Sequence, residues 1–175
     1  MPTHLKDGDP APGFELESDN AGAVRLEDLR GKYVVLYFYP KDDTPGCTTE
    51  ACGFRDANSE IEADGAIVLG VSTDSLRSHE RFRRKHRLPF PLLSDPEHRV
   101  AEAYGVYGLK KFMGREYMGV ERATFVVGPD GRLAKVWPNV KAAGHAEEVL
   151  AWLRSQRRSG LGGRSWVLLA RSSSR

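Results

Sequence analysis

The chain has 175 residues, of which 40% are hydrophobic and 29% are charged, and this balance predicts one globular domain with a core of its own. The first residues contain no apolar segment of the secretory type, and no stretch approaches the ~20 apolar residues that span a bilayer. Two cysteines are too few for a disulfide framework. We therefore expect a cytoplasmic protein without a membrane partner, in a compartment where a disulfide would be transient and catalytic.

The formal net charge of +2 comes from the C-terminal end of the chain. Five of the 26 basic residues lie in residues 156–175, which contain no acidic residue, so residues 1–155 carry 21 basic and 24 acidic side chains and a net charge of −3. Residues 1–155 lack a basic stripe with interleaved aromatic residues, and nucleic-acid binding therefore has no support. The Arg-, Ser- and Gly-rich composition of 156–175 predicts a disordered tail after a domain at 1–155. Its apolar patch, Trp166–Ala170, leaves open a docking segment for a partner or a membrane surface.

Strand and helix patterns alternate along the chain. The first half predicts, in order, a hairpin of Phe14–Glu17 with Val24–Leu26, a buried strand at Tyr33–Tyr39, a helix from Cys47 to about Ala63, and a buried strand at Ala66–Ser72. The second half predicts a polar helix at Leu76–Lys85, an edge segment at Pro89–Leu93, a helix from Pro96 to Ala103, a buried strand at Ala123–Val127, a return strand at Arg132–Trp137, and a last helix from Gly144 to about Ser155. This order predicts an α/β sandwich around a mixed central β-sheet, with flanking helices and an N-terminal hairpin.

Cys47 stands where the strongest predicted strand has ended and a helix begins. Helix N-termini carry unpaired N–H groups and about half a positive charge, and both favour an anion. A thiolate at such a position is a nucleophile rather than packing material. The sequence therefore marks Cys47 as the candidate reactive group.

On an ideal helix the two sulfurs of this chain point in different directions. Cys47 shares the apolar stripe of Ala51, Phe54 and Ile61, whereas Cys52 lies about 140° around the helix. The two Cα atoms are then roughly 8.6 Å apart, and a disulfide needs less than about 7 Å. Either the cysteines never pair, or the first turn of the helix unwinds to let them.

Other interpretations of these residues stay open at this point. Taken alone, Cys52 is consistent with a small buried apolar side chain that has no reactive role. A zinc site lacks support because the histidines have no ligand spacing near the cysteines, so we expect no metal. His79 and His86 lie in a charged helix and are expected to be solvated. Glu50 fits a charge that complements the helix dipole, and orientation of an arginine is the alternative.

Pro40, Thr44 and Cys47 fall at the spacing Pro-x-x-x-Thr-x-x-Cys, which is the signature of peroxiredoxins. The continuation to Asp56 resembles the bacterioferritin comigratory protein branch, also called peroxiredoxin Q. Further segments resemble the same branch in the same order: Tyr107–Gly114, Glu121–Phe125 and Lys135–Pro138. The resemblance covers roughly residues 5–155, and the tail has no counterpart in it.

The resemblance implies a thioredoxin-like fold and thiol-dependent reduction of hydrogen peroxide and organic hydroperoxides. Cys47 would be the peroxidatic cysteine, and Cys52 matches the resolving position found in many members of the branch. Thr44 and Arg122 match the polar residues that surround the sulfur, and Pro40 matches the loop proline that shields it. An intramolecular disulfide would be reset by a thioredoxin- or glutaredoxin-type reductant, with no cofactor. The branch is often monomeric, and we expect a monomer here.

Two other functions are weighed against this one. A disulfide oxidoreductase of the thioredoxin kind favours two residues between its cysteines, and here four separate them. A redox sensor or chaperone-like binding module would use the thiols as a switch without turnover. Without the resemblance, Arg122, Thr44 and Pro40 are also consistent with a strand-flanking arginine, a loop residue and the end of a strand.

Overall fold

The structure is a computed structural model, and it describes residues 3–158. Its strands are β1 (Glu15–Glu17), β2 (Ala23–Arg25), β3 (Tyr33–Phe38), β4 (Ala66–Ser72), β5 (Leu92–Ser94), β6 (Tyr107–Phe112), β7 (Arg115–Val120), β8 (Ala123–Val127) and β9 (Leu133–Trp137). Its helices are α1 (Pro45–Ala63), α2 (Leu76–His86), α3 (Arg99–Ala103) and α4 (His145–Arg158), with a 3₁₀ turn at Leu26–Leu29 after β2. Within residues 3–158, no helix combines the length and the hydropathy that crossing a bilayer requires.

A five-stranded mixed sheet in the order β5-β4-β3-β8-β9 forms the centre, as the sequence predicts. β3 pairs in parallel with β4 and β4 with β5, while β8 runs antiparallel to both β3 and β9. The central β3 strand is buried on both faces, which explains its unbroken apolar sequence. Val35 and Tyr37 pack in the cluster under α1, α2 and α4. Val34, Leu36 and Phe38 pack in the opposite cluster, which contains α3.

The hairpin of β6 and β7 is a feature that the sequence analysis missed. The two strands pair antiparallel around a two-residue turn of Met113 and Gly114, whose φ angles are 51° and 78°. Such turns are usually Asn-Gly or Asp-Gly, because positive φ at the first position is unfavourable for most side chains. Methionine is not a turn signal, and the strands are largely exposed, so no apolar alternation marks them.

The third helix is shorter than predicted. The helix expected from Pro96 begins only at Arg99. The intervening His98 has a left-handed backbone with a φ of 50°, which stops the helix from starting earlier. The Asp95 carboxylate accepts hydrogen bonds from N–H groups of the first helical turn and so takes the place of a cap.

The last helix ends three residues later than predicted, at Arg158 rather than Ser155. Arg157 pairs with Asp64 at the end of α1, and this contact stabilises the extra turn. The start of the predicted tail is therefore helical. The rest of that tail, residues 159–175, lies outside the described residues, and its predicted disorder stays a prediction.

His79 is buried, and the expectation that it would be solvated is wrong. The sequence does not indicate that His79 is buried, because most other residues of α2 are charged. Its Nε2 atom is 2.9 Å from the Leu93 carbonyl oxygen, and its Nδ1 atom is 2.7 Å from Asp42 Oδ2. The Tyr39 hydroxyl donates to the other Asp42 oxygen at 2.6 Å. These contacts anchor the loop between β3 and α1 at a point five residues before Cys47.

Asp42, Asp74 and His79 also place ligand atoms within 4.8 Å of one another, as in a cation site. Asp74 Oδ2 accepts hydrogen bonds from the Asp42 N–H at 2.8 Å and from the Ser72 hydroxyl at 2.6 Å. Because these atoms already bond to neighbours in the protein, we interpret the cluster as a hydrogen-bonded network that holds the loop in place.

The substitution His79→Ala is expected to lower the free energy of unfolding by about 3 kcal/mol, because it removes a hydrogen-bond partner of the buried Asp42 carboxylate and leaves a cavity. The control is His4→Ala, which removes an exposed imidazole and should change the free energy of unfolding by less than about 0.5 kcal/mol. Urea denaturation followed by far-UV circular dichroism measures both variants. Equal losses in the two variants would contradict a structural role for the network.

Candidate active site

Cys47 lies in the first turn of α1, and only 1% of its surface is exposed. Thr44 is the N-cap residue and Pro45 the first helical residue, so the free N–H groups of this helix end lie around the cysteine. The sulfur belongs to the same buried cluster as Ala51, as the helical period predicts. The site therefore combines a buried thiol with the positive end of a long helix dipole.

The sheet topology brings Arg122 to this end of the helix. β8 runs antiparallel to β3, and the pairing of Phe38 with Ala123 places the start of β8 beside the end of β3. Arg122 immediately precedes β8, and α1 follows the end of β3 after a short loop. The Arg122 Nη2 group donates to Cys47 Sγ at 3.4 Å. Strand pairing thus joins two residues that are 75 positions apart in the chain.

Glu50 completes the charged group around Arg122. Its Oε1 atom accepts a hydrogen bond from Arg122 Nη1 at 2.7 Å, so the guanidinium bridges the carboxylate and the sulfur of Cys47. Glu50 is fully buried, and this burial raises its pKa to about 7 against the opposing effect of Arg122. Its Oε2 atom has no hydrogen-bond partner among the described residues. Of the two interpretations of Glu50, the structure supports the orientation of an arginine.

Gly46 leaves the space that Arg122 occupies. A Cβ atom at position 46 would lie 3.0 Å from Arg122 Nη2, which is closer than side-chain atoms normally approach. A side chain at this position would therefore push the end of Arg122 away by a few tenths of an ångström. Because the contact is made by a distant part of the chain, the local sequence indicates only that Gly46 is a poor helix former.

Thr44 and Pro40 belong to the loop between β3 and α1. The Thr44 hydroxyl donates to the Lys41 carbonyl oxygen at 2.9 Å and does not cap the helix. Pro40 is half-buried and lies two residues after the end of β3. Both residues lie where the resemblance expects them in the chain, and their predicted roles toward a substrate stay predictions.

Cys52 is half-buried on a different side of α1 and, like Cys47, is a free thiol. Arg55 follows Cys52 by one turn on the same side of α1, and its Nη1 group donates to the His86 carbonyl oxygen at 2.9 Å. Cys52 therefore lies toward the C-terminal end of α2, away from the buried stripe. The His86 side chain is only 19% exposed, so the expectation that it is solvated is also wrong.

Two buried residues beneath the site were not identified by the sequence analysis. Tyr37 stacks on Phe54 of α1 with ring centroids 4.7 Å apart, and burial, followed by the charge of Glu50, raises its pKa well above the ordinary value. His145, at the start of α4, lies 2.8 Å from Thr124 Oγ1, and burial lowers its pKa. Both side chains are neutral near pH 7 and pack under the site. No local pattern marks them, because these contacts come from other elements of the fold.

The arrangement places a buried free thiol beside a fixed set of hydrogen-bond donors. The helix N–H groups and the guanidinium of Arg122 stabilise negative charge on Cys47, and the same donors can bind an oxygen atom that approaches the sulfur. The low exposure of Cys47 limits the access of water and bulky thiols. The geometry therefore suits a displacement reaction at sulfur.

Known proteins share most of this chain. Residues 8–136 match the AhpC/TSA family. Peroxiredoxin Bcp of Bacillus subtilis is 52% identical over 147 residues, which are 84% of this chain and 94% of that protein. A crystal structure of a cysteine-to-serine variant of PrxQ from Xylella fastidiosa has a TM-score of 0.83 and 38% identity, and the match covers 88% of this chain and 98% of that one. A trapped intermediate/ligand complex of the bacterioferritin comigratory protein of Xanthomonas campestris, described for its alkyl peroxide reduction activity, has a TM-score of 0.77 and 40% identity, covering 82% and 91% of the two chains.

The substitution Gly46→Ala is expected to separate reactivity from stability. Alanine favours a helix over glycine by up to about 1 kcal/mol, so the free energy of unfolding should stay equal or rise. The displaced guanidinium should slow the reaction of Cys47 with hydrogen peroxide about tenfold, measured as the rate of thiol loss. The control is Gly53→Ala in the same helix, whose Cβ would meet Ala146 Cβ at 3.4 Å and leave Arg122 in place. Equal rates in the two variants would show that the reaction does not depend on the position of Arg122.

The substitution Glu50→Gln is expected to change how stability depends on pH. Folded Glu50 keeps its proton up to about pH 7, because its pKa is raised from 4.5. Its contribution to the free energy of unfolding is therefore fully present below pH 4.5 and is lost as the pH rises through about 7, by on the order of 3 kcal/mol. Urea denaturation of the wild type and the variant between about pH 5 and pH 8 measures this difference. The control is Glu147→Gln, which removes an exposed carboxylate. If the difference in the free energy of unfolding between the wild type and Glu50→Gln does not change with pH, as expected for the control, the raised pKa of Glu50 is disproved.

Proposed function

Because the chain belongs to the AhpC/TSA family and is a thiol-dependent peroxidase of the peroxiredoxin Bcp and peroxiredoxin Q branch, we propose that Cys47 is the residue that attacks the peroxide. The observation that carries this proposal is the position of Cys47 Sγ, buried in the first turn of α1 and 3.4 Å from Arg122 Nη2. The helix N-terminus and the guanidinium stabilise the sulfur as a thiolate, which is the form that attacks.

The first step is a displacement on oxygen. The Cys47 thiolate attacks one oxygen of the peroxide, the O–O bond breaks, and the second oxygen leaves with the electron pair and takes up a proton to give water or an alcohol. Cys47 becomes a sulfenic acid. The N–H groups of Arg122 stabilise the leaving oxygen as its negative charge grows. In this proposal the Thr44 hydroxyl binds the peroxide, and Pro40 limits the access of water.

Cys52 is proposed to resolve the sulfenic acid. Its sulfur attacks the sulfur of Cys47, a disulfide forms, and water leaves. An intact α1 holds the two sulfurs on different sides, so the first turn must unwind before the bond can form. Gly46 and Gly53 weaken this part of the helix, and the anchor at Asp42 confines the unwinding to the residues that follow it.

The remaining parts of the proposal concern partners and surroundings. The substrates are hydrogen peroxide and organic hydroperoxides, and the alkyl peroxide activity named for the Xanthomonas campestris relative supports the second class. A thioredoxin- or glutaredoxin-type dithiol reduces the disulfide in the cytoplasm. The protein acts as a monomer, uses no cofactor or metal, and binds neither nucleic acid nor a membrane. The described residues form one domain, which ends with α4.

The intact mass of the protein after one equivalent of hydrogen peroxide tests these assignments. The wild type should lose two hydrogen atoms, because Cys47 and Cys52 form a disulfide. The Cys52→Ser variant should gain one oxygen atom, because its sulfenic acid persists, and thioredoxin should not support its turnover. The Cys47→Ser variant should keep its mass. Full thioredoxin-dependent turnover of Cys52→Ser would refute the role of Cys52, and rapid oxidation of Cys47→Ser would refute that of Cys47.

A further inference from the structure

The surface of α2 is strongly positive. Six basic residues and only one acidic residue, Glu80, lie between Leu76 and Arg87. Arg77, Arg81 and Arg84 follow one another at spacings of four and three residues, so they project from one face of the helix, and all three are exposed. We call these three residues the arginine stripe.

The fold does not account for the arginine stripe. Within residues 3–158, neither Arg77 nor Arg81 has a salt-bridge partner, and Arg84 pairs only with Glu80 at 3.2 Å, with both side chains largely in solvent. By contrast, the neighbouring Arg83 pairs with the buried Asp19.

The helix itself also gives no reason for the stripe. Like charges four residues apart oppose helix formation. The helix dipole favours cations in the last turn, which explains Arg84 but not Arg77 in the first turn or Arg81 in the middle. Within residues 3–158, Arg77 and Arg81 repel each other and make no compensating salt bridge, which fits a role of the stripe in binding another molecule.

The stripe lies on the helix that borders the redox centre. The carbonyl oxygen of His86, the last residue of α2, accepts a hydrogen bond from Arg55, which lies one turn after Cys52 on α1. Lys85 Nζ is 3.0 Å from Asp43 Oδ2, in the loop that leads into α1. The Ser78 hydroxyl donates to Asp42 Oδ2 at 2.8 Å in the same loop. A molecule that binds on α2 therefore lies next to the segment in which the two cysteines would form their disulfide.

We propose that the arginine stripe is the docking surface for an acidic protein that carries the reducing dithiol, an inference that rests on the proposed function. A thiolate of the docked protein attacks the sulfur of Cys52, which lies on the α2 side, and the disulfide breaks with Cys47 leaving as a thiolate beside Arg122. The second thiol of the partner loses its proton and attacks the mixed disulfide. Cys52 then leaves as a thiolate, which takes up a proton, and the partner keeps the new disulfide, so two electrons pass from the partner to this protein.

The observations favour an acidic protein over a nucleic acid. Residues 1–155 carry a net charge of −3, so the stripe is a local positive exception, which suits a small acidic patch better than an extended polyanion. Phe82, the aromatic residue of α2, is buried, so the helix offers no exposed ring on which a base could stack. The stripe spans only eight residues, from Arg77 to Arg84, and its ends are roughly 10 Å apart along the helix. This length suits contact with a compact acidic patch beside the dithiol of the partner protein.

The test compares two triple variants of the full chain. The stripe variant carries Arg77→Gln, Arg81→Gln and Arg84→Gln, because glutamine keeps the helix propensity and removes the charge. The matched control carries Arg25→Gln, Arg30→Gln and Lys32→Gln, three exposed cations between the end of β2 and the start of β3, at the end of β3 away from Cys47. Arg25 is paired with Glu15 and Glu27 at the surface, a kind of contact that contributes little to stability. Each protein is assayed with hydrogen peroxide and either a thioredoxin of net negative charge or dithiothreitol. Thermal unfolding of each variant verifies that it is folded.

With thioredoxin at low ionic strength, kcat/KM of the stripe variant should fall about tenfold relative to the wild type, and added salt should reduce this difference. With dithiothreitol, which needs no docking surface, the stripe variant should match the wild type. The control variant should match the wild type with both reductants. The single variant Arg81→Gln should show a smaller loss in the same direction.

Other outcomes separate the proposals. Turnover with dithiothreitol together with equal kcat/KM for thioredoxin in both triple variants would overturn the docking surface and leave the peroxidase intact. A wild type without turnover on either reductant would refute the proposed function and this inference with it. A labelled single-stranded oligonucleotide of about 20 nucleotides tests the alternative partner. If it binds the wild type but not the stripe variant, and the two proteins have equal kinetics with thioredoxin, the stripe is a nucleic-acid binding surface and the proposal is wrong.

Discussion

A buried carboxylate and a buried sulfur share one guanidinium at the N-terminus of α1. Glu50 and Cys47 are almost completely removed from solvent, and a negative charge on either would be unfavourable without a partner. Arg122 supplies that partner to both, at 2.7 Å from Glu50 Oε1 and 3.4 Å from Cys47 Sγ. The antiparallel pairing of β8 with β3 places Arg122 there, and the absence of a side chain at Gly46 gives it room. The rest of the site depends on this contact.

The same contact divides one positive charge between two acceptors. When Glu50 is ionised, its carboxylate orients Arg122 and also offsets part of its charge. Because the pKa of Glu50 is raised to about 7, this division changes within the physiological range. Below that pH the neutral carboxyl leaves the full charge of the guanidinium to Cys47. Glu50 thus helps to set the electrostatic environment of Cys47 through Arg122, without contacting the sulfur itself.

The segment before α1 combines a fixed point with a weak point. Asp42 is held by His79, Tyr39 and neighbouring groups, so the loop cannot shift as a whole. The next residue, Asp43, is exposed and has a left-handed backbone with a φ of 59°, and the helix that follows contains glycine in its first turn. Such a backbone is unfavourable for most residues. The geometry suits a helix start that opens locally to bring two cysteines together while the sheet and the other helices stay in place.

Local periodicity was sufficient to predict the alternation of strands and helices, and the order of these elements predicted the mixed sheet. The different directions of Cys47 and Cys52 follow from the repeat of a single helix. The family resemblance pointed to Arg122, but only strand pairing brings it to the sulfur. The tertiary structure alone decided the buried position of His79, the partner of Glu50 and the hairpin of β6 and β7. Each depends on groups distant in the chain or on a backbone conformation that its residue type does not indicate. A sequence pattern reports which face of an element is apolar, whereas the partner that meets that face is chosen by the packing of the whole fold.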